Sequence, residues 1–296
     1  MAEPARFTAR IAGLRQALVL GFDYRVLLLW VLGTLVPALI AALPIWRSLA
    51  YALDLSPLSP DIARHFDALV FADLTSRFRA LRPAHEAAVG VAAACFVLIS
   101  PLLSAAMLAT AEGGRQNGFV PLLQRALAWY GRSFRLWLVT LLPVGALLAI
   151  SGWLSKTASG YGERATLESR ASLAGHAALA VTLVLVALLH VTVEAGRAEL
   201  IASPQRRSVL WAWLTGARKA MARPLATLAL YWAPSVLSFA VAAVLLAVRV
   251  HAIGVSWLGF GLGALFTQLA VAAIGWGHLS RLIALSNLFR AHVDRR

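Results

Sequence analysis

The chain has 296 residues, 60% of them hydrophobic and only 14% charged. Water-soluble domains carry roughly 25% charged residues, so a single soluble core is excluded as the home of so much apolar surface. The formal charge of +14 would suggest nucleic acid in a soluble protein, but no aromatic-basic module accompanies it, and a nucleic-acid partner is not expected.

In chain order, residues 6–22 come first. Phe7, Ile11, Leu14 and Leu18 recur at helical spacing while Arg6, Arg10 and Arg15 lie off that stripe, which predicts a short amphipathic helix at a membrane interface. Gly21 then breaks it. Six apolar runs follow, near 26–46, 87–111, 134–154, 174–195, 225–249 and 256–279. Each is about 20 residues or more, the length a helix needs to cross a bilayer. They are continuous and rich in Leu, Ala and Val rather than alternating, which argues against a β-barrel. The first run is too long for a cleaved signal and is read as a retained helix.

Between the first two runs, Ser59-Pro60-Asp61 is a helix start, with Ser as cap, Pro at the first position and an acid on the positive end of the dipole. Ile62, Phe66, Leu69, Val70 and Leu74 follow on one face. The segment 60–82 is expected to be an amphipathic outer helix that covers the bundle or docks a protein partner. Cys95, the single cysteine, lies in the second run; no intrachain disulfide or multi-cysteine metal site can form.

The preface repeats. Arg15-Gln16-Ala17-Leu18-Val19-Leu20-Gly21 is echoed by Arg125-Ala126-Leu127-Ala128-Trp129-Tyr130-Gly131 and more loosely by the segment from Leu210 to Gly216. An arginine follows each (Arg25, Arg132, Arg223), then a proline 11 or 12 residues on (Pro37, Pro143, Pro234). The ends of the even runs also repeat: Ala111-Glu112-Gly113-Gly114-Arg115, Val193-Glu194-Ala195-Gly196-Arg197 and, with His and Ser substituted, His278-Leu279-Ser280-Arg281. Their arginines are 82 and 84 residues apart. Such a period signals internal repetition. The expected fold is therefore all-α: one membrane domain over 1–296, six transmembrane helices in three hairpin repeats (approximately 6–115, 119–197 and 206–281). Each odd spanning helix is preceded by an interfacial amphipathic helix and a glycine hinge.

Charge sets the orientation. The segments 1–25, 112–135, 195–224 and 280–296, with Glu194 at their edge, hold 18 of the 27 Lys and Arg and 6 of the 13 acids. The positive-inside rule then places both termini in the cytoplasm. The 25 Arg against 2 Lys fit a GC-rich bacterial genome, and the expected location is the bacterial inner membrane.

Glu112 and Arg115, and likewise Glu194 and Arg197, are three apart and share a helix face. Each pair is expected to be an ion pair at the cytoplasmic end of an even helix, where arginine complements the helix dipole and can contact an anionic lipid head group. His190, one turn before Glu194, and His278, three before Arg281, are candidates for the same polar rim. His190, Glu194 and His278 could meet a metal only if the fourth and sixth spans touch there; no metal or cofactor is expected. No Asp, Glu, Lys or Arg falls in the middle third of any span, which argues against an ion-coupled transporter. Tyr231, Ser235, Thr182, Thr267 and Gln268 are the polar residues at depth, expected to form interhelical hydrogen bonds. P-loop, H-E-x-x-H and G-x-S-x-G motifs are absent, and an enzyme is not expected.

The R-x-A-L-x-x-G-like segments ending at Gly21 and Gly131, with Pro37, Pro143 and Pro234, resemble bacterial six-helix membrane proteins, a group that includes the membrane domain of some glycerophosphoryl diester phosphodiesterases. The resemblance covers most of the chain as architecture. That family's catalytic domain has no counterpart in the sequence, so it implies no catalytic residues. The expected function is a non-enzymatic scaffold or accessory in envelope or lipid processes, with anionic lipid on its cytoplasmic rim. The alternative is a transporter or channel for a lipid or amphiphile.

Overall fold

The computed structural model describes residues 13–54, 82–114, 118–164, 167–205, 208–252 and 256–293, with a few isolated positions between 56 and 76. Arg115, most of the segment 60–82 and the first twelve residues lie outside them. The described residues form helices and connecting turns: α1 (13–21), α2 (Tyr24–Leu53), α3 (Arg82–Gly113), α4 (Phe119–Gly162), α5 (Glu168–Ala202), α6 (Val209–Ala222), α7 (Pro224–Ala252) and α8 (Trp257–Val293). Six of them, α2, α3, α4, α5, α7 and α8, are long and apolar enough to cross a membrane.

Local chemistry sets the helix boundaries. Asp23, between α1 and α2, accepts the Arg25 backbone N–H at 3.0 Å and starts α2. Ser208 caps α6 by accepting from the Trp211 N–H. At the end of α3, Gly114 takes φ +72° and returns its N–H to the Thr110 carbonyl at 2.9 Å, a left-handed ending that favours glycine.

The expected glycine hinges hold at only one of three places. α1 does end at Gly21. The second preface, however, is continuous with its span: α4 runs through Gly131 for 44 residues, roughly 66 Å at 1.5 Å per residue. Nothing around Gly131 breaks a helix, and an interior glycine costs only about 1 kcal/mol. In the third preface the break falls at Arg223, not Gly216. Pro224 disfavours helical geometry in the residue before it, and Arg223 takes φ −140°, ψ 63°. Pro37, Pro44, Pro101, Pro143 and Pro234 all lie inside helices that continue past them. The helices also outrun their apolar segments, α5 by seven residues beyond 195 and α8 by fourteen beyond 279.

The sequential pairs α2 and α3, α4 and α5, and α7 and α8 pack along one another, and α3, α5 and α8 all touch. The core sits at one end, where α3, α5 and α8 finish and α2, α4 and α7 begin. Ala105 to Ala109 of α3, Ala195, Ala198 and Ile201 of α5, and Leu282, Leu285 and Phe289 of α8 are buried together with Leu122 and Trp129 of α4. Alanine lets the three helix backbones approach closely. Away from this end the surfaces stay apolar and open. No residue in the most apolar 18-residue window of α4 is buried, and Leu142 is 81% exposed. Contiguous apolar surface on that scale marks a lipid-facing protein.

Candidate functional site

Glu194 of α5 is fully buried at the core end. Its neighbour one turn on, Arg197, reaches back so that Nη1 lies 2.7 Å from Oε1. The facing side of α8 supplies the rest. His278 Nε2 is 2.9 Å from the same oxygen, Arg281 Nη2 is 3.8 Å away, and Arg197 Nη1 and His278 Nε2 are 3.2 Å apart. α7 completes the cluster: Arg281 Nη1 donates to Ser235 Oγ at 2.8 Å, and its guanidinium lies 4.9 Å from the centre of the Tyr231 ring. Tyr231 Oη is 2.7 Å from His190 Nδ1 of α5. Trp30 of α2 meets the His278 ring edge-on at 5.6 Å. Four helices thus converge on one carboxylate.

Two guanidiniums against one carboxylate leave this cluster cationic. A buried charge needs a partner of opposite sign and good geometry, and Glu194 supplies it for α8 as well as for its own helix. Arg197, His278 and Arg281 all lie on Oε1, while Oε2 is buried with no hydrogen-bond partner among the described residues. Among the described residues no three His, Cys, Asp or Glu side chains converge to hold a metal. What the arrangement can do is lock α5, α7 and α8 together and hold positive charge at the core end.

Of the residues expected at the rim, His190, Glu194, Arg197, His278 and Arg281 are brought together. Glu112 is elsewhere and accepts from Trp129 Nε1 of α4 at 3.0 Å; its expected pairing with Arg115 lies outside the described residues, as does the partner surface proposed over 60–82. Tyr231 and Ser235 do bond across helices. Thr267 instead bonds the Gly263 carbonyl of its own helix. A second buried pair carried no sequence signal: Glu199 of α5 with Lys219 Nζ of α6 at 2.5 Å, the lysine also 5.6 Å from the Phe289 ring centre. The two residues are twenty apart on different helices, so neither helical spacing nor period could pair them.

The ends of α3, α5 and α8 each meet another helix: α4, α6 and α1. The end of α3 takes the Trp129 hydrogen bond. The end of α5 packs on α6, where a Cβ on Gly216 would strike the Ala195 carbonyl and one on Gly196 would lie 3.0 Å from Trp213. α8 packs on α1, where Gly21 abuts Ser280 and Trp276 Nε1 donates to the Leu18 carbonyl at 2.9 Å.

Beside the cluster, α2, α7 and α8 leave a lateral groove of about 710 Å³, walled by apolar side chains. A smaller space of about 400 Å³ lies between the far parts of α4 and α5, lined by Ser151, Ser155 and Thr182 among others. No family model matches the chain, and no curated protein or solved structure matches it.

Proposed function

We propose that this is a non-enzymatic multi-pass protein of the bacterial inner membrane, with both termini cytoplasmic, acting as a scaffold or accessory in envelope or lipid processes. Its cytoplasmic end holds anionic lipid head groups through a basic rim. The carrying observation is the buried cluster of Glu194, Arg197, His278 and Arg281. Its ion pairs join α5 to α8, it holds one more guanidinium than carboxylate, and Arg197, 18% exposed, is its most exposed cation. Charge of that sign at a membrane interface attracts anionic lipid, each surface Lys or Arg contributing about 1 kcal/mol.

The three joints between a helix end and a preface helix support a threefold hairpin repeat that closes on itself. The first preface meets the last helix end, the second the first, and the third the second. The resemblance to six-helix bacterial membrane domains fits the same reading. Thermal melting in mixed micelles tests the lipid contact, because a ligand of the folded state raises its stability with concentration. The melting temperature should rise with added phosphatidylglycerol and not with phosphatidylcholine; an equal response to both would overturn the rim.

A second reading, a transporter of a lipid or amphiphile, is favoured by one observation, the groove open to the side between α2, α7 and α8. Flux of a labelled lipid across reconstituted vesicles separates it from the first.

A further inference from the structure

We propose that the lateral groove between α2, α7 and α8 seats one anionic phospholipid of the cytoplasmic leaflet, an acyl chain lying in the groove and the phosphate at Arg25. The walls come from three helices, with Leu28 and Val31 on α2, Leu245 on α7, and Leu269 and Ala272 on α8. Gln268 stands at the deep end. At the other end the lining becomes aromatic, with Phe22, Tyr24 and Trp276. Aromatic side chains with polar tips belong at head-group level, so the groove has an interfacial mouth and a hydrocarbon body.

Its length fits one leaflet. From Tyr24 to Val31 the groove follows seven residues of α2, and from Trp276 to Gln268 eight residues of α8. At 1.5 Å per residue these are about 10 and 12 Å, against about 15 Å for half of a 30 Å hydrocarbon core. The occupant is therefore an amphiphile of a single leaflet.

Positive charge stands beside the mouth, on Arg25, which touches the lining residue Tyr24 without itself walling the groove. The Arg25 guanidinium lies 5.0 Å from the Tyr24 ring centre, with Nε donating to the Tyr24 hydroxyl at 3.2 Å. The nearby acid, Asp23, is buried and accepts the Arg25 backbone N–H, capping α2. A planar guanidinium held on a ring is pre-set for a phosphate, which it binds through two parallel N–H groups. The Trp276 indole N–H is committed to the Leu18 carbonyl, which fixes that wall of the mouth. An apolar slot with a guanidinium beside its aromatic mouth complements an anionic phospholipid better than a neutral sterol-like or a cationic amphiphile.

This inference rests on the membrane orientation and lipid-contacting rim proposed above. Native mass spectrometry of protein taken from nanodiscs of equal parts phosphatidylglycerol and phosphatidylcholine tests it. Wild type should retain one phosphatidylglycerol per chain. Leu28→Trp and Ala272→Phe fill the groove from opposite walls and should lower that retention about tenfold. Leu28 is 45% exposed, so its replacement leaves the core intact, and melting in detergent verifies this. Arg25→Gln should keep a lipid but lose the preference for phosphatidylglycerol. Wild-type retention in both well-folded filled variants overturns the groove. If phosphatidylglycerol still raises the melting temperature of all four proteins equally, the rim stands and the groove alone fails. If wild type neither retains nor responds to it, both fail.

Discussion

Replacing Glu194 by Gln should cost the fold far more than the loss of a partly exposed carboxylate such as Glu112. The carboxylate is fully buried and is the counter-charge for Arg197, Arg281 and a hydrogen-bonded His278. Glutamine preserves its size, so no cavity is made. Arg197, 18% exposed, can turn toward head groups, whereas Arg281, 9% exposed, is held between Ser235 and Tyr231. Removing one partner of a buried pair typically costs about 3–5 kcal/mol; with part of the charge able to reach the interface, about 3 kcal/mol is expected. At roughly 2–4 °C per kcal/mol, the melting temperature in detergent should fall by about 6–12 °C. Glu112→Gln is the control. It weakens one hydrogen bond from Trp129 at a partly exposed site, worth about 1 kcal/mol. The double variant Glu194→Gln with Arg281→Met removes the stranded cation and should recover much of the loss, because replacing both members of a buried pair is often near neutral. Tryptophan fluorescence follows the transition, and the difference should persist in high salt, since buried pairs are weakly screened. A Glu194→Gln shift no larger than that of Glu112→Gln would refute the claim that this carboxylate pins α5 to α8.

Three further outcomes follow from the same geometry. His278→Glu restores the residue type of the other two helix ends, yet sets two carboxylates together where 2.9 Å now separates histidine and glutamate; the monodisperse fraction in size exclusion should fall sharply, while His278→Gln should be mild. Gly216→Ala drives a Cβ into the Ala195 backbone, whereas Gly145→Ala, with nothing within 4 Å, enters open space; the first should lose folded protein and the second melt at or slightly above wild type, about 1 kcal/mol separating glycine from alanine in a helix. In a Cys95→Ala background, Glu163→Cys between α4 and α5 should react with an impermeant maleimide in intact spheroplasts. Gln205→Cys, between α5 and α6, should react only after permeabilisation; the reverse pattern contradicts the proposed orientation.

Much of the site could be read from the sequence because it is built from helical spacing and a period. Glu194 and Arg197 are one turn apart, and Arg281, 84 residues on, enters the same cluster from α8. The departure of His278 from the glutamate of the other copies gains a physical reason in three dimensions: it faces Glu194, and a third glutamate could not. The roles of Tyr231 and Ser235 as bonds between helices were also legible, as polar groups with no other outlet in apolar segments. The pairing of Glu199 with Lys219, and the placing of Trp30 against His278, depend on how separate helices cross, which no local pattern encodes. The hinges failed for a local reason. Glycine permits a break but does not impose one, so α4 runs through Gly131, while Pro224 does impose one and moves the break to Arg223. The apolar runs did not mark where helices end: α5 and α8 continue past them, and Glu199 and Phe289 in those extensions are buried.

The lipid that travels with the protein tests the account most directly. Discs of native membrane excised with a styrene–maleic acid polymer keep the protein's own neighbours, and their lipid composition can be set against that of the whole membrane. Anionic phospholipid should be enriched around the wild-type chain, and the enrichment should fall in Arg25→Gln. A disc composition equal to the bulk membrane and unchanged by that substitution would contradict the proposed lipid contact.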